Sequence, residues 1–217
     1  MHREGYAIVF SFLAASLVTS LMVWAGVPGI ALKILLVLLW ALTAFSVYFF
    51  RDPNRDIPQD PNAILSPADG KVIEISEAEE PEFFKTRSRK ISIFLNVFNV
   101  HVNRCPVAGE VKFFRYQKGR FLRANLKEAS FENEQTIIGI LQGNRKLVFK
   151  QIAGLIARRI HCDLREGHNV TAGERMGIIK FGSRTDIFLP LDAELRIGIG
   201  DKVKGGESIL GVFKDVS

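Results

Sequence analysis

Ile199-Gly200-Asp201-Lys202-Val203-Lys204-Gly205-Gly206-Glu207 reads as a tight turn between two strands. Gly167-His168-Asn169-Val170-Thr171-Ala172-Gly173-Glu174 has the same shape: a polar residue, Val, a small residue, Gly, then Glu. Outward from these turns, everything after Arg51-Asp52-Pro53-Asn54-Arg55 is a succession of short apolar runs punctuated by Gly, Pro, Asn and Asp. Strands are expected at Lys71–Ile75, Ser92–Phe98, Gly109–Phe114, Thr136–Leu141, Lys146–Ala153, Gly177–Ile179, Asp186–Leu189 and Ser208–Phe213. One helix is expected near Ala153–Cys162, and a turn around Pro81–Lys85. Many short strands at regular spacing argue for a mainly β domain, a sandwich or barrel-like fold with few helices.

The two turns look like those of lipoyl- and biotinyl-type hybrid barrels. Such modules present a carrier lysine at a hairpin tip in a Met-Lys-Met-like setting, and no such setting exists here. The likeness therefore bears on architecture and not on a carried group. Upstream of residue 51 the composition changes. Gly5–Val27 has no charged residue and is long enough to cross a bilayer. Val27-Pro28-Gly29 breaks it, and Ile34–Phe50 is again uncharged. Residues 1–50 are thus expected to form a membrane-anchoring helical hairpin ahead of a domain at 51–217. His2-Arg3 before the hairpin and Arg51 and Arg55 after it put both ends, and the domain, on the cytoplasmic face of the cell membrane. The alternatives are a monotopic hairpin that dips into one leaflet and a cleaved signal peptide, the latter opposed by the second apolar run.

The chain of 217 residues carries 29 Lys and Arg against 23 Asp and Glu, a net charge of +6. That balance suits an anionic partner, and the apolar hairpin points to a membrane surface rather than to nucleic acid. Lys112, Arg115, Lys118, Arg120, Arg123 and Lys127 interleave with Phe113, Phe114, Tyr116 and Phe121, a stretch that rests on anionic headgroups or, equally, supplies core aromatics with solvated charges between them. Cys105 and Cys162 give neither a metal spacing nor a disulfide framework, and no metal is expected. Walker loops and dinucleotide fingerprints are missing from the sequence.

Three stretches carry candidate chemistry. Ser66-Pro67-Ala68-Asp69-Gly70-Lys71-Val72 contains an Asp-Gly turn signal. Asn96-Val97-Phe98-Asn99-Val100-His101-Val102-Asn103-Arg104 puts His101 in an apolar, β-branched run; His2, His161 and His168 have no comparable setting. Lys180-Phe181-Gly182-Ser183-Arg184-Thr185-Asp186 places a Gly-Ser at a strand edge and lacks the second glycine of a Gly-x-Ser-x-Gly elbow. Each alone reads as ordinary structure. In this order along the whole chain they resemble the short class of phosphatidylserine decarboxylases, as do Gly119-Arg120-Phe121-Leu122-Arg123-Ala124-Asn125 and Asn133-Glu134. Longer members of that family carry Leu-Gly-Ser-Thr where this chain has Phe-Gly-Ser-Arg.

The resemblance implies a Ser–His–Asp arrangement turned on the protein's own backbone. Asp69 would orient His101, and His101 would take the proton of Ser183, whose hydroxyl attacks the Gly182 carbonyl. Cleavage between 182 and 183 would give a large chain, 1–182, and a small chain, 183–217, held together as a heterodimer. Ser183 would become a pyruvoyl group, the cofactor, forming a Schiff base with the amine of a membrane phospholipid, phosphatidylserine. Arg184 would hold the substrate phosphate or carboxylate. Two rivals are a membrane-anchored Ser-His-Asp lipid hydrolase, which keeps Ser183 intact, and a non-enzymatic membrane-tethered hybrid-barrel adaptor, which calls for flanking heptads that the sequence lacks.

Overall fold

The computed structural model describes residues 1–124, 126, 128–155, 159–180 and 182–214. The chain separates into two compact units, Met1–Pro53 and Asn54–Ser217.

In the first unit, helices α1 (Tyr6–Trp24) and α2 (Ile30–Phe49) form a hairpin whose ends meet where the His2 amide donates to the Phe50 carbonyl at 2.8 Å. Both are long and apolar enough to cross a membrane, and little of either is buried within the protein. Such a surface suits lipid better than a protein core. Hydroxyl side chains link the two helices. Ser16 Oγ and Thr43 Oγ1 lie 3.1 Å apart, and Trp40 Nε1 donates to Ser20 Oγ at 3.3 Å. Between helices already apolar all round, such contacts supply the specificity that hydrophobicity cannot.

The second unit is mostly strand. In chain order it contains β1 (Ala63–Leu65), β2 (Gly70–Glu80), β3 (Thr86–Leu95), β4 (Val102–Arg104), β5 (Gly109–Gln117), a one-turn helix α3 (Ala129–Glu132), β6 (Gln135–Gln142) and β7 (Arg145–Ala153). There follow β8 (Ile160–Cys162), β9 (Asn169–Val170), β10 (Arg175–Ile179), β11 (Ser183–Leu189), β12 (Glu194–Leu195), β13 (Lys202–Val203) and β14 (Ile209–Val212). An eight-stranded antiparallel sheet runs β13-β2-β3-β11-β7-β6-β5-β9, with smaller sheets β4-β10-β8 and β1-β14-β12 beside it. The main core lies on one face of the large sheet, where Ile91, Ile93, Ile138, Phe149 and Ile187 pack with Cys105 and Met176. Each such side chain, fully withdrawn from water, contributes roughly 1.5–3 kcal/mol.

The β-rich architecture and the apolar helical hairpin are as the sequence implied, and all eight expected strands form, some longer or shifted. Sequence reading misplaced two elements. Strand β3 stops at Leu95 because Asn96 closes a turn: Asn99 Oδ1 accepts from the Asn96 amide and Asn96 Oδ1 from the Phe98 amide. The helix expected near Ala153–Cys162 is not formed over its described part; β7 runs on to Ala153, and Ile160–Cys162 is β8, paired with β10. Its middle, 156–158, lies outside the described residues. Partnering by a neighbouring strand overrode local helix propensity there.

Candidate active site

Strand β11 sits between β3 and β7 and is buried along its whole length. Alternation along a strand sends successive side chains to opposite faces. Ser183, Thr185 and Ile187 face the main core, whereas Arg184, Asp186 and Phe188 face the other side, where Phe188 packs with Ile137 and Val148.

The outer face carries an ionic network. Arg184 Nε donates to Asp186 Oδ1 at 2.6 Å, and its Nη2 to Glu74 Oε2 at 3.0 Å and Ser92 Oγ at 2.6 Å. Arg184 Nη1 reaches the Leu126 carbonyl at 3.2 Å, Ser130 Oγ donates to Asp186 Oδ2 at 2.7 Å, and Lys90 lies 3.4 Å from Glu74. Burial works against the Glu74 charge, but the Ser76 hydroxyl, Lys90 and Arg184 outweigh it and hold the carboxyl below its ordinary value. Arg184, expected beside the substrate, is therefore 1% exposed and turned away from the face that Ser183 occupies, with its donors engaged inside the protein.

On the inner face, Ser183 is wholly buried and its Oγ has no hydrogen-bond partner among the described residues. Gly182 precedes it at φ 63°, a left-handed conformation that glycine adopts without strain. His101, also buried, stands just before β4. Its Nδ1 is 3.0 Å from the Asn99 carbonyl, which can only accept, so Nδ1 carries the proton and Nε2 is left as the acceptor. The Gly182 amide donates to that Nε2 at 3.4 Å. The fold thus brings His101, Gly182 and Ser183 together; Phe181 lies outside the described residues.

Asp69 has other partners. Arg55 Nη2 donates to both its oxygens at 2.9 Å, and the Gly205 amide to Oδ1 at 2.8 Å. The Arg104 amide donates to the Pro67 carbonyl, which keeps the Asp69 segment alongside β4, the strand that follows His101.

Two contributors had no sequence signal of their own. Gly154 lies against the Gly182 carbonyl: a Cβ there would stand 2.2 Å from its oxygen. Arg55, read only as a charge flanking the hairpin, turns out to be the Asp69 clamp. Asn133, noted only within a likeness, ties the Leu122 and Ala153 carbonyls together with its amide at 2.8 and 2.7 Å.

The loops at this end of the large sheet form an apolar rim. Among the described residues, the exposed large hydrophobic side chains of the second unit are Phe98, Tyr116, Leu126, Phe131, Leu155, Leu191 and Ile199, and the first five lie at the end that carries Ser183. Lys118, Arg120, Arg123 and Arg159 are exposed among them. The basic-aromatic stretch is thereby divided: Lys112–Tyr116 lie on β5, with Lys112 paired to Glu110 and Arg115 to Glu82, and the described remainder belongs to the rim. Lys127 lies outside the described residues. Cys105 is buried and Cys162 half-buried, both free thiols; burial pushes the Cys162 thiol up to about 11. No group of three or more His, Cys, Asp or Glu among the described residues is arranged to hold a metal.

The family profile described as phosphatidylserine decarboxylase matches residues 42–211. The chain belongs to the phosphatidylserine decarboxylase family. Relatives named phosphatidylserine decarboxylase proenzyme are similar over most of its length. One from Desulfotalea psychrophila is 49% identical over 170 residues, covering 78% of this chain and 79% of its own. One from Magnetococcus marinus is 41% identical over 98% of this chain and 94% of its own, and one from Rickettsia akari 44% over 98% and 90%. The match takes in β1 to β13 and every residue of the site just described.

Proposed function

We propose that the chain is a proenzyme that cuts its own backbone between Gly182 and Ser183 and then decarboxylates phosphatidylserine to phosphatidylethanolamine and carbon dioxide. The observation that carries this is the Nε2 of His101 at the amide of Gly182, the residue next to a buried Ser183 whose hydroxyl has no hydrogen-bond partner among the described residues. With Nδ1 turned to Asn99, Nε2 is the base for the Ser183 proton. Oγ adds to the Gly182 carbonyl carbon, the peptide C–N bond breaks as the ester forms, and the proton passes to the Ser183 nitrogen. The left-handed Gly182 and the side-chain-free Gly154 leave that carbonyl open to approach. Elimination then releases Gly182 as the end of a large chain, 1–182, and residue 183 opens a small chain, 183–217. The orienting contact expected of Asp69 is made instead by the Asn99 carbonyl, while Asp69 is held by Arg55 and the Gly205 amide. Arg184 holds β11 in register from the opposite face and does not touch substrate.

An orphaned hydroxyl on a strand whose other face is fully bonded fits a side chain destined to be converted, here into a pyruvoyl group. That group supplies a carbonyl able to accept the electrons left by departing carbon dioxide. Its lipid substrate leaves the bilayer only at a large hydrophobic cost. The apolar hairpin and the apolar, basic rim around Ser183 support work at an anionic membrane surface, with the second unit on the cytoplasmic face. The expected result with carboxyl-labelled phosphatidylserine in mixed micelles is release of labelled carbon dioxide, abolished by hydroxylamine. Release of fatty acid without carbon dioxide would overturn the assignment in favour of a hydrolase.

A further inference from the structure

The two faces of β11 treat their polar residues differently. On the outer face Arg184 and Asp186 are fully engaged. Among the described residues, five buried polar atoms at the Ser183 end of the inner face have no hydrogen-bond partner: Ser183 Oγ, Thr185 Oγ1, Gln151 Oε1, Thr136 Oγ1 and Asn103 Nδ2. They make one continuous row. Thr185 faces Gln151 across β11 and β7, and Gln151 faces Thr136 across β7 and β6. Gln151 Nε2 donates to Asn103 Oδ1 at 2.8 Å, and Ser183 is two positions from Thr185 on the same face. With strands about 4.8 Å apart, Thr136 and Thr185 stand roughly 10 Å from each other.

The far end of the row meets the outside. Thr136 faces Tyr116 on β5, and it lines a surface cleft of about 310 Å³ bounded also by Phe114, Tyr116, His161 and Arg165. All five unpartnered atoms are neutral donors or acceptors, which suits water rather than an ion. Threonine hydroxyls donate and accept, the Gln151 oxygen accepts and the Asn103 amide donates, so the row offers the mixed donors and acceptors that ordered water needs.

Given the self-cleavage above, we propose that this row holds a file of ordered water running from the cleft to residue 183, and that this water completes the conversion of the residue. The acyl shift and the elimination consume no water; only the final step does. Elimination leaves residue 183 as an enamine, which tautomerises to an imine. A water oxygen adds to the imine carbon, the C–N bond breaks, nitrogen departs as ammonia and the carbonyl forms, with no oxidant or reductant. Ser183 is wholly buried, so bulk water has no direct access to it, and the row is the polar route that leads there.

The test uses the freshly synthesised full chain with Gln151→Met, Thr185→Val and Thr185→Ser, quenched at intervals into denaturant containing borohydride. Residue 183 caught as imine is reduced to alanine, readable by Edman degradation. Once converted, it is reduced to lactate and blocked. Gln151→Met and Thr185→Val are expected to be cut yet to convert about tenfold more slowly, the worth of one lost hydrogen bond. Thr185→Ser, which keeps the hydroxyl, is expected to convert at the wild-type rate. Conversion at the wild-type rate in the first two variants, or loss of cleavage in both, would overturn the water file. A wild-type chain that stays uncut would instead refute the self-cleavage on which it rests.

Discussion

At the residue scale, the proposed cleavage turns on one histidine nitrogen, one carbonyl and one hydroxyl. His101→Gln keeps a polar side chain but removes the base, and cleavage is expected to slow by about 10²-fold or more, followed as the loss of full-length chain on a denaturing gel. An unchanged rate would remove His101 from the chemistry. Gly154→Ala is a steric test. A methyl 2.2 Å from the Gly182 oxygen forces that carbonyl to move, so the variant is expected to fold and remain uncut; prompt cleavage would show that the carbonyl has room to spare. Ser183, Gly182 and His101 could be singled out in the sequence by residue type and order, and the fold brings these three together. Gly154 could not, since its contribution is an atom it lacks. The Arg55 clamp on Asp69 joins parts of the chain that the sequence gives no reason to pair. Arg184 was misleading for a simpler reason: next to Ser183 in sequence means opposite to it across the sheet.

At the element scale, β11 is a central strand covered on both sides, and its polar residues persist there because an ionic network satisfies one face. Removing one member leaves buried charge without compensation, so Arg184→Met is expected to lower stability by about 3–5 kcal/mol. The denaturant midpoint reads this, and Arg184→Met combined with Asp186→Leu should recover part of the loss. A midpoint equal to wild type would show that the network contributes nothing. The same network gives the fold an acid edge. Glu74 is held below the ordinary carboxyl value of 4.5, so its contribution is fully present above that value and is lost as pH falls through the lower, folded one. Stability measured from pH 6 downward should fall less steeply in Glu74→Gln than in wild type; parallel curves would contradict this assignment. Long strands such as β6 and β7 were legible from apolar runs. The two- and three-residue strands β4, β8 and β9 were not, because nothing in so short a run distinguishes a strand from a loop until a partner lies beside it.

At the scale of the whole molecule, the proposed cut falls at the start of β11, not between domains. Residues beyond it supply β11 to the middle of the large sheet, β13 to its edge, and β12 and β14 to the sheet that contains β1. Some 13 residue pairings tie β11 alone to β3 and β7. Cut chains are therefore expected to elute together on gel filtration in mild detergent and to separate only in denaturant; early separation would mean that the sheet does not survive the cut. The composition break near residue 51 lies close to the division between the two compact units, and strand spacing made the β-rich class readable. Sheet order was not, since β11 sits between β3 and β7, β13 beside β2 and β9 beside β5, neighbours that come from distant parts of the chain. The most direct test of self-processing is the intact mass of the purified protein. Two chains, one ending at Gly182 and the other opening at residue 183 with a mass that shows nitrogen replaced by oxygen, are the expected result. A single uncut mass from folded protein would contradict it.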